Sequence, residues 1–375
     1  MAAANPLVFR WGIISTGNIA TSFVKDLLLD PKTRDVHDVV HKVTAVGSRS
    51  SESAQKFIKD VAGGDDSIKA YGSYQEVFAD ENVDAVYIGT PHTFHYSNAR
   101  EALLAKKHVL LEKPATCNAA ELQDLINTAK EQNVFFMEAM WTRFLPISKE
   151  FKKIVEEGRL GAPVVMWADL SGDFHIHNIP KTHRMLDPAL GGGGLLDLGP
   201  YPLVWAIMAL YEHPSNKATP PSHIVGSMVK TPLTGVDANT SFTLSFAPDT
   251  KSGSTLSAQA ILSTSINLPA LDGPVATIRY EHGFITVAAP IYAPREFTVK
   301  YSKTDGQEEE TKVVKIDWKG NGWHFQADEV ARCASAGKLQ SAEWGWDKSL
   351  LEMKIFDEVR KQGGYVFPPG VEKVL

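Results

Sequence analysis

The rhythm of hydrophobic and polar positions changes once along this chain. Through the first third, short apolar runs occur at Val8–Ile14, Val43–Val46, Ala85–Gly89, His108–Leu111 and Val134–Glu138, each the length of a buried strand. Between them, Ser51–Asp60, Tyr74–Ala79, Ser97–Ala105 and Ala119–Gln132 space their apolar residues at helical intervals. This alternation predicts an α/β unit, a doubly wound parallel sheet with helices on both faces. A further helix is expected at Pro146–Glu157, and then strand-like runs take over. They lie at Val164–Leu170, His223–Val229, Ser241–Ala247, Thr255–Leu262, Val275–Tyr280, Phe284–Val287, Phe297–Tyr301 and Lys312–Ile316, separated by Gly, Pro, Asn and Asp. Such punctuation predicts an α+β unit with a large, mainly antiparallel sheet. Helical patterns at Trp323–Ser335 and Trp344–Gln362 close the chain. We expect two domains, 1–140 and 141–375, with the change falling near Glu138–Phe144.

Composition narrows the possible partners. The 375 residues are 43% hydrophobic, enough for two cores, and the formal net charge of −6 offers no broad basic surface. Nucleic acid and anionic membranes are therefore poor partners, and a small molecule is the better one. Cys117 and Cys333 are the two cysteines, too few for a disulfide framework or a cysteine zinc site, which fits a reducing compartment. The opening "MAAANPLVFRWG" has no basic stretch followed by an apolar core, and no later apolar run reads as long enough to cross a bilayer. We expect a soluble cytosolic protein.

The stretch "WGIISTGNIA", Trp11–Ala20, runs from a strand into a helix that reads through Leu29. It approximates the dinucleotide fingerprint G-x-G-x-x-G/A, with Gly17 and Ala20 in the last two places and Ser15 in the first. Ser15 can serve there if its dihedrals are not forced positive. Ser15, Thr16, Gly17, Asn18 and Ile19 are thus candidate phosphate ligands at a helix N-terminus. Alone, a strand–glycine–helix turn is as often packing as binding. The end of the second strand adds weight. In "VTAVGSRS", Ser48, Arg49 and Ser50 stand where an NAD enzyme offers a carboxylate to the ribose. An arginine flanked by hydroxyls suits a 2′-phosphate, so NADP is the expected cofactor.

Three more stretches hold reactive side chains. "GTPHTFH" follows the strand at Ala85–Gly89; Thr90 and Pro91 would hold a rigid turn beside the nicotinamide ribose, with His92 and His95 in positioning roles. "LLEKPATCN" places Glu112 and Lys113 at the tip of a buried strand, where charges must be paired or used. A structural ion pair and a proton-transfer role are equally open for these two. "GGGGLLDLGPYPL" reads as a turn entering a helix on which Asp197 and Tyr201, four apart, share a face. Upstream lie Phe174, His175, His177, His183 and Arg184. No histidine recurs at a helical ligand spacing, so no metal is expected.

Taken in order, G-I-I-S-T-G-N-I-A, G-T-P-H, E-K-P, M-E-A-M-W-T-R-F, H-R-M-L-D-P-A-L-G-G-G and D-L-G-P-Y-P-L resemble the Gfo/Idh/MocA oxidoreductase family over essentially the whole chain. Within it, the likeness is greatest to the dimeric dihydrodiol dehydrogenases and the fungal NADP-dependent D-xylose dehydrogenases. The resemblance implies a Rossmann domain, an open-faced C-terminal sheet used for subunit contacts, and hence a homodimer. It implies catalytic roles for Lys113 and Tyr201 with Asp197 beside them, and it sets Trp141 and Arg143 at the cofactor. Glu112, Thr90, Pro91, His92 and His95 join the cofactor set, and Lys113, Phe174, His175, His183, Arg184, Asp197 and Tyr201 the substrate set. The implied reaction is oxidation of an aldopyranose at its anomeric carbon to the lactone, D-xylose before D-glucose. Oxidation of a trans-dihydrodiol and reduction of a sugar-derived dicarbonyl such as an anhydrofructose are the alternatives. A dinucleotide-sensing regulator without turnover is the reading from another class.

Overall fold

The apolar run that opens the chain is the central strand of a six-stranded sheet. A computed structural model describes residues 5–304, 306 and 308–375. Among these residues two compact units are present: 5–141, 318–350 and 372–375 form the first, and 142–304, 306, 308–317 and 351–371 the second.

The first unit alternates β1 (Leu7–Ile14), α1 (Asn18–Leu27), β2 (Val39–Gly47), α2 (Ser51–Val61), β3 (Lys69–Tyr71), α3 (Tyr74–Ala79), β4 (Ala85–Ile88), α4 (His95–Leu104), β5 (His108–Leu111), α5 (Ala119–Gln132) and β6 (Phe136–Glu138). All its strand pairs are parallel, in the order β3-β2-β1-β4-β5-β6. The doubly wound expectation is met. The helix expected to run through Leu29 stops at Leu27, with Leu28 as its C-cap. β3 is an added strand, three residues long and too short to carry a period of its own.

The second unit begins with α6 (Pro146–Glu156) and β7 (Pro163–Ser171), followed by α7 (Gly194–Leu198) and α8 (Pro200–Ala206). Then come β8 (His223–Lys230), β9 (Asp237–Phe246), β10 (Ala258–Ser265), β11 (Ala276–Tyr280), β12 (Gly283–Val287), β13 (Glu296–Tyr301) and β14 (Glu310–Lys315). They form one eight-stranded sheet, β14-β13-β12-β11-β7-β10-β9-β8, in which β7 and β10 are parallel and the other pairs antiparallel. One face is core: Met166, Ala260, Leu262, Leu244, Ile278, Ile285 and Val299 are buried. The other face is covered less. Direct pairing aligns Val313, Thr298, Thr286, Thr277, Trp167, Ile261, Thr243 and Val225 in one row across all eight strands, each half-buried or exposed.

The run Pro188–Tyr211 corrects one expectation. It is 24 residues long and apolar enough to cross a membrane, contrary to the reading that no run was; 94% of its most apolar window is buried inside the protein, as in a core helix.

Helices α9 (Trp323–Ser335) and α10 (Trp346–Gln362) close the chain. All of α9 belongs to the first unit, and two buried aspartates hold it there. Asp26, on α1, accepts the backbone N–H groups of Asn321, Gly322 and Trp323 at 2.9, 2.6 and 3.0 Å, which caps α9. Asp328, on α9, accepts two bonds from Arg34 at 2.8 Å and one from His41 Nε2 at 2.9 Å. The Nδ1 of His41 accepts Trp11 Nε1–H at 3.1 Å, which fixes the neutral Nε2–H tautomer. Burial alone would raise the Asp328 pKa, but Arg34 and His41 outweigh it and hold it down to about 2. Phe23 of α1 stacks on Tyr87 of β4 at 3.8 Å, so the first helix is tied to the sheet as well.

Candidate active site

In the first sheet the winding reverses between β1 and β4, and the loops leaving those strands flank the switch point where ligands bind in such sheets. Every cofactor candidate in this unit follows the C-terminal end of a strand: Ser15–Ile19 after β1, Ser48–Ser50 after β2, Thr90–His95 after β4, Glu112 and Lys113 after β5, Trp141 after β6.

Ser15 departs from the condition set for it. Its φ is +89°, the region glycine enters without penalty and other residues occupy at a cost of about 1–2 kcal/mol. Local bonds hold it: its N–H donates to Gly47 O at 3.1 Å, and its Oγ accepts the Gly17 N–H at 3.3 Å. Gly17 is the N-cap of α1, where no side chain caps the helix and the first turn carries no acid. These N-terminal donors suit a pyrophosphate. A Cβ on Gly89 would stand 3.1 Å from Ile19 Cγ2, so the start of α1 and the end of β4 approach closely. Thr16 Oγ1 lies 3.3 Å from Ser48 Oγ, which joins the first loop to the end of β2. Arg49 is exposed and lies near Tyr74, whose pKa burial raises and the Arg49 charge pulls back. Ser50 caps α2, its Oγ accepting the Ser53 N–H at 3.2 Å. The donor set fits a 2′-phosphorylated dinucleotide.

A second group of bonds shapes the loops after β4 and β5. Thr90 Oγ1 accepts Asn98 Nδ2 at 3.1 Å. His95 is fully buried, with Nε2 2.8 Å from Thr90 O and Nδ1 2.8 Å from Pro114 O, so the ring sits between both loops and, when neutral, donates to one of the two carbonyls. Burial lowers its pKa to about 4 against the pull of the two carbonyls. Its place is one of positioning. Its ring meets that of His92 edge-on at 5.7 Å. Glu112 accepts the Tyr87 hydroxyl at 2.7 Å and the Lys113 N–H at 3.3 Å. The Lys113–Pro114 bond is cis, and Lys113 is 9% exposed. Just beyond, Glu138 accepts the Ala115 N–H at 2.8 Å and Trp344 Nε1 at 3.0 Å. Trp141 stacks on Trp323 at 4.6 Å.

The second unit holds the other candidates. Arg143 is fully buried, with Nη2 3.4 Å from Glu212, which Lys152 also approaches at 3.3 Å. Asp197 is 7% exposed and pairs with Arg184 at 3.1 Å, so the structure brings together two residues thirteen apart in the chain. Half of the Arg184 side chain remains accessible, 51%. Tyr201 opens α8, its ring 5.6 Å from Tyr292. Gly199 is helical, φ −53° and ψ −35°, so α7 continues into α8 and Asp197 and Tyr201 share one helical segment, as their spacing predicts. Phe174 is half-buried, and the exposed His175, with φ +51°, pairs with Asp173 at 3.1 Å instead of joining Asp197. His183 turns its Nδ1 to the Met185 N–H at 3.3 Å.

Asp237 was not among the candidates. It lies at the start of β9, 3% exposed, and accepts the Leu195 N–H and the Thr240 hydroxyl, each at 2.7 Å. Burial raises its pKa to about 6, opposed by Thr240 and by the N–H groups of Leu195 and Gly194. The one trace of it in the sequence is the glycine run Gly191–Gly194: a Cβ on Gly193 would stand 2.0 Å from Asp237 Oδ1.

The Rossmann sheet is that of a dinucleotide-binding protein, and the chain belongs to the Gfo/Idh/MocA oxidoreductase family. Residues 9–140 match that family's NAD-binding Rossmann fold, and residues 148–286 its C-terminal domain. Among individual proteins, the chain is similar to the D-xylose 1-dehydrogenase (NADP(+)) of Hypocrea jecorina, with 37% identity covering 98% of this chain and 95% of that one. It is similar also to the trans-1,2-dihydrobenzene-1,2-diol dehydrogenase of Bos taurus, 31% identical over 96% and 99% of the two chains. A levoglucosan dehydrogenase solved with NADH and levoglucosan shares the fold at a TM-score of 0.81 and 16% identity, over 96% of this chain and 97% of that one.

Proposed function

We propose that this protein is an NADP-dependent dehydrogenase that oxidises the anomeric carbon of an aldopyranose, D-xylose first, to the lactone. The observation that carries the reading is the 37% identity to a D-xylose 1-dehydrogenase (NADP(+)) over 98% of the chain. When bound, NADP supplies the hydride acceptor. Ser15–Ile19 would hold its pyrophosphate at the start of α1, and Arg49 its 2′-phosphate. The residues of this chain supply the proton chemistry. Tyr201 takes the proton of the anomeric hydroxyl as general base, with Lys113 as the second catalytic residue that the family resemblance implies. Asp197, oriented by Arg184, accepts a neighbouring sugar hydroxyl, and the accessible part of Arg184 donates to ring or hydroxyl oxygens. The polar loop His175, His177, Asn178, Lys181 and His183 supports a sugar over an arene diol.

The row from Val313 to Val225 supports a homodimer through the second sheet: Trp167, Val225 and Val313 are 42%, 61% and 51% exposed. The protein's two cysteines, both buried, fit a reducing compartment and support a cytosolic enzyme. The test is reduction of NADP or NAD by purified protein offered D-xylose, D-glucose or a trans-dihydrodiol. Rapid NADP reduction with the pentose is expected. Activity with the diol alone would move the substrate to that of the second relative, and silence throughout would point to a sensor without turnover.

A further inference from the structure

We propose that Asp237 is a positioning residue for the reaction: its buried carboxylate fixes the start of the helical segment that presents Asp197 and Tyr201. The inference rests on the functional reading above and deepens it. The carboxylate comes from β9, forty-two residues after Leu195, whose N–H it accepts at 2.7 Å. Thr240, three residues further along β9, donates to the same oxygen at 2.7 Å and fixes its direction. The glycines make room for this bond. Gly193 has φ +112°, and a Cβ there would overlap Asp237 Oδ1 at 2.0 Å; a Cβ on Gly194 would stand 3.4 Å from Oδ2.

Gly199, with helical dihedrals, joins α7 to α8, and its N–H donates to Leu195 O at 2.9 Å, so the residue that Asp237 holds is one turn from the start of α8. Asp197 lies two residues beyond it and Tyr201 six, about 9 Å along the axis. Further along, α8 is held by Trp205 Nε1 donating to Ile291 O at 2.9 Å. Loss of the acceptor at residue 237 frees the first end, and a displacement of an ångström at a proton-transfer group costs on the order of a hundredfold.

The experiment uses the full chain with Asp237→Asn, Thr240→Val and Thr240→Ser. Asparagine keeps the shape and loses one acceptor. Measured together are kcat and KM with D-xylose, the NADP Kd by fluorescence, the unfolding midpoint, and amide exchange over residues 194–201. D237N is expected to lower kcat between about tenfold and a hundredfold while NADP Kd stays within about twofold. T240V should follow in the same direction by less, and T240S should restore most of the loss. A kcat for D237N within about twofold of wild type overturns the proposal, as does a loss spread equally over kcat, NADP affinity and unfolding midpoint. Should the wild-type chain turn over no substrate, the functional reading fails, and exchange decides the inference alone. Faster exchange confined to residues 194–201 in D237N keeps Asp237 as the anchor, and unchanged exchange removes it.

Discussion

Two turns in this molecule lead small residues into the start of a helix, and they use that start in opposite ways. At Ser15–Gly17 the helix N-terminus has no side-chain cap and no acid in its first turn. At Gly191–Gly194 the corresponding donors are taken by the protein's own Asp237. A helix N-terminus attracts negative charge in either case. The first is left for a phosphate that arrives from outside; the second is filled from within, which immobilises the segment bearing Asp197 and Tyr201. Glycine-rich turns are therefore ambiguous as a motif, and the location of the nearest carboxylate separates binding from positioning.

The contrast can be broken by giving the first turn what the second already has. Asn18→Asp places a carboxylate in the first turn of α1 and should weaken NADP by about 3 kcal/mol, roughly a hundredfold, through like-charge repulsion; a fluorescence titration that shows no loss would mean that α1 is not the phosphate site. Next in size, Arg49→Ala should cost about 1.5–3 kcal/mol of NADP affinity and much less of NAD affinity. Equal losses for the two cofactors would remove Arg49 from the 2′-phosphate.

The two units also differ in how they keep a buried aspartate. Asp328 meets Arg34 and His41 and is held down to about 2, whereas Asp237 meets neutral donors and rises to about 6. Stability drawn from Asp328 is complete above the unfolded pKa of about 4 and is lost as pH falls through about 2, a span worth about 2 kcal/mol. Asp237 has the opposite sign: its folded pKa lies above the unfolded value, so stability declines as pH rises from about 4 to about 6. Urea midpoints of Asp328→Asn and wild type should therefore converge as pH falls towards 2; a gap independent of pH would refute the assignment. Smallest of all, Ser15→Gly should relieve the positive φ and raise stability by up to about 1 kcal/mol. A lower midpoint would show that the Ser15 Oγ bond to Gly17 outweighs the backbone strain.

Much of this was legible wherever the signal is local. Helix α5 was read to the residue, because Asn118 caps its start by accepting the Glu121 N–H and Asn133, at φ +55°, ends it. Ser73 marks α3 in the same way. The pairing of Asp197 with Tyr201 on one segment followed from their spacing. What stayed hidden depends on contacts distant in sequence. The membership of α9 in the first unit is fixed by Asp26 and Asp328, and neither bond is visible in the period of α9 itself. Asp237 lies far from the glycines it explains. The positive φ of Ser15 occurs where its N–H bonds Gly47 at the end of β2, a contact that no pattern around Ser15 encodes.

The most direct test of the account is Tyr201→Phe, with kcat for D-xylose oxidation and the NADP Kd measured on the same preparation. A loss of about 10²-fold or more in kcat, with cofactor affinity changed less than about twofold, is the result predicted for a general base that has no part in holding the cofactor. Turnover equal to wild type would contradict the central claim.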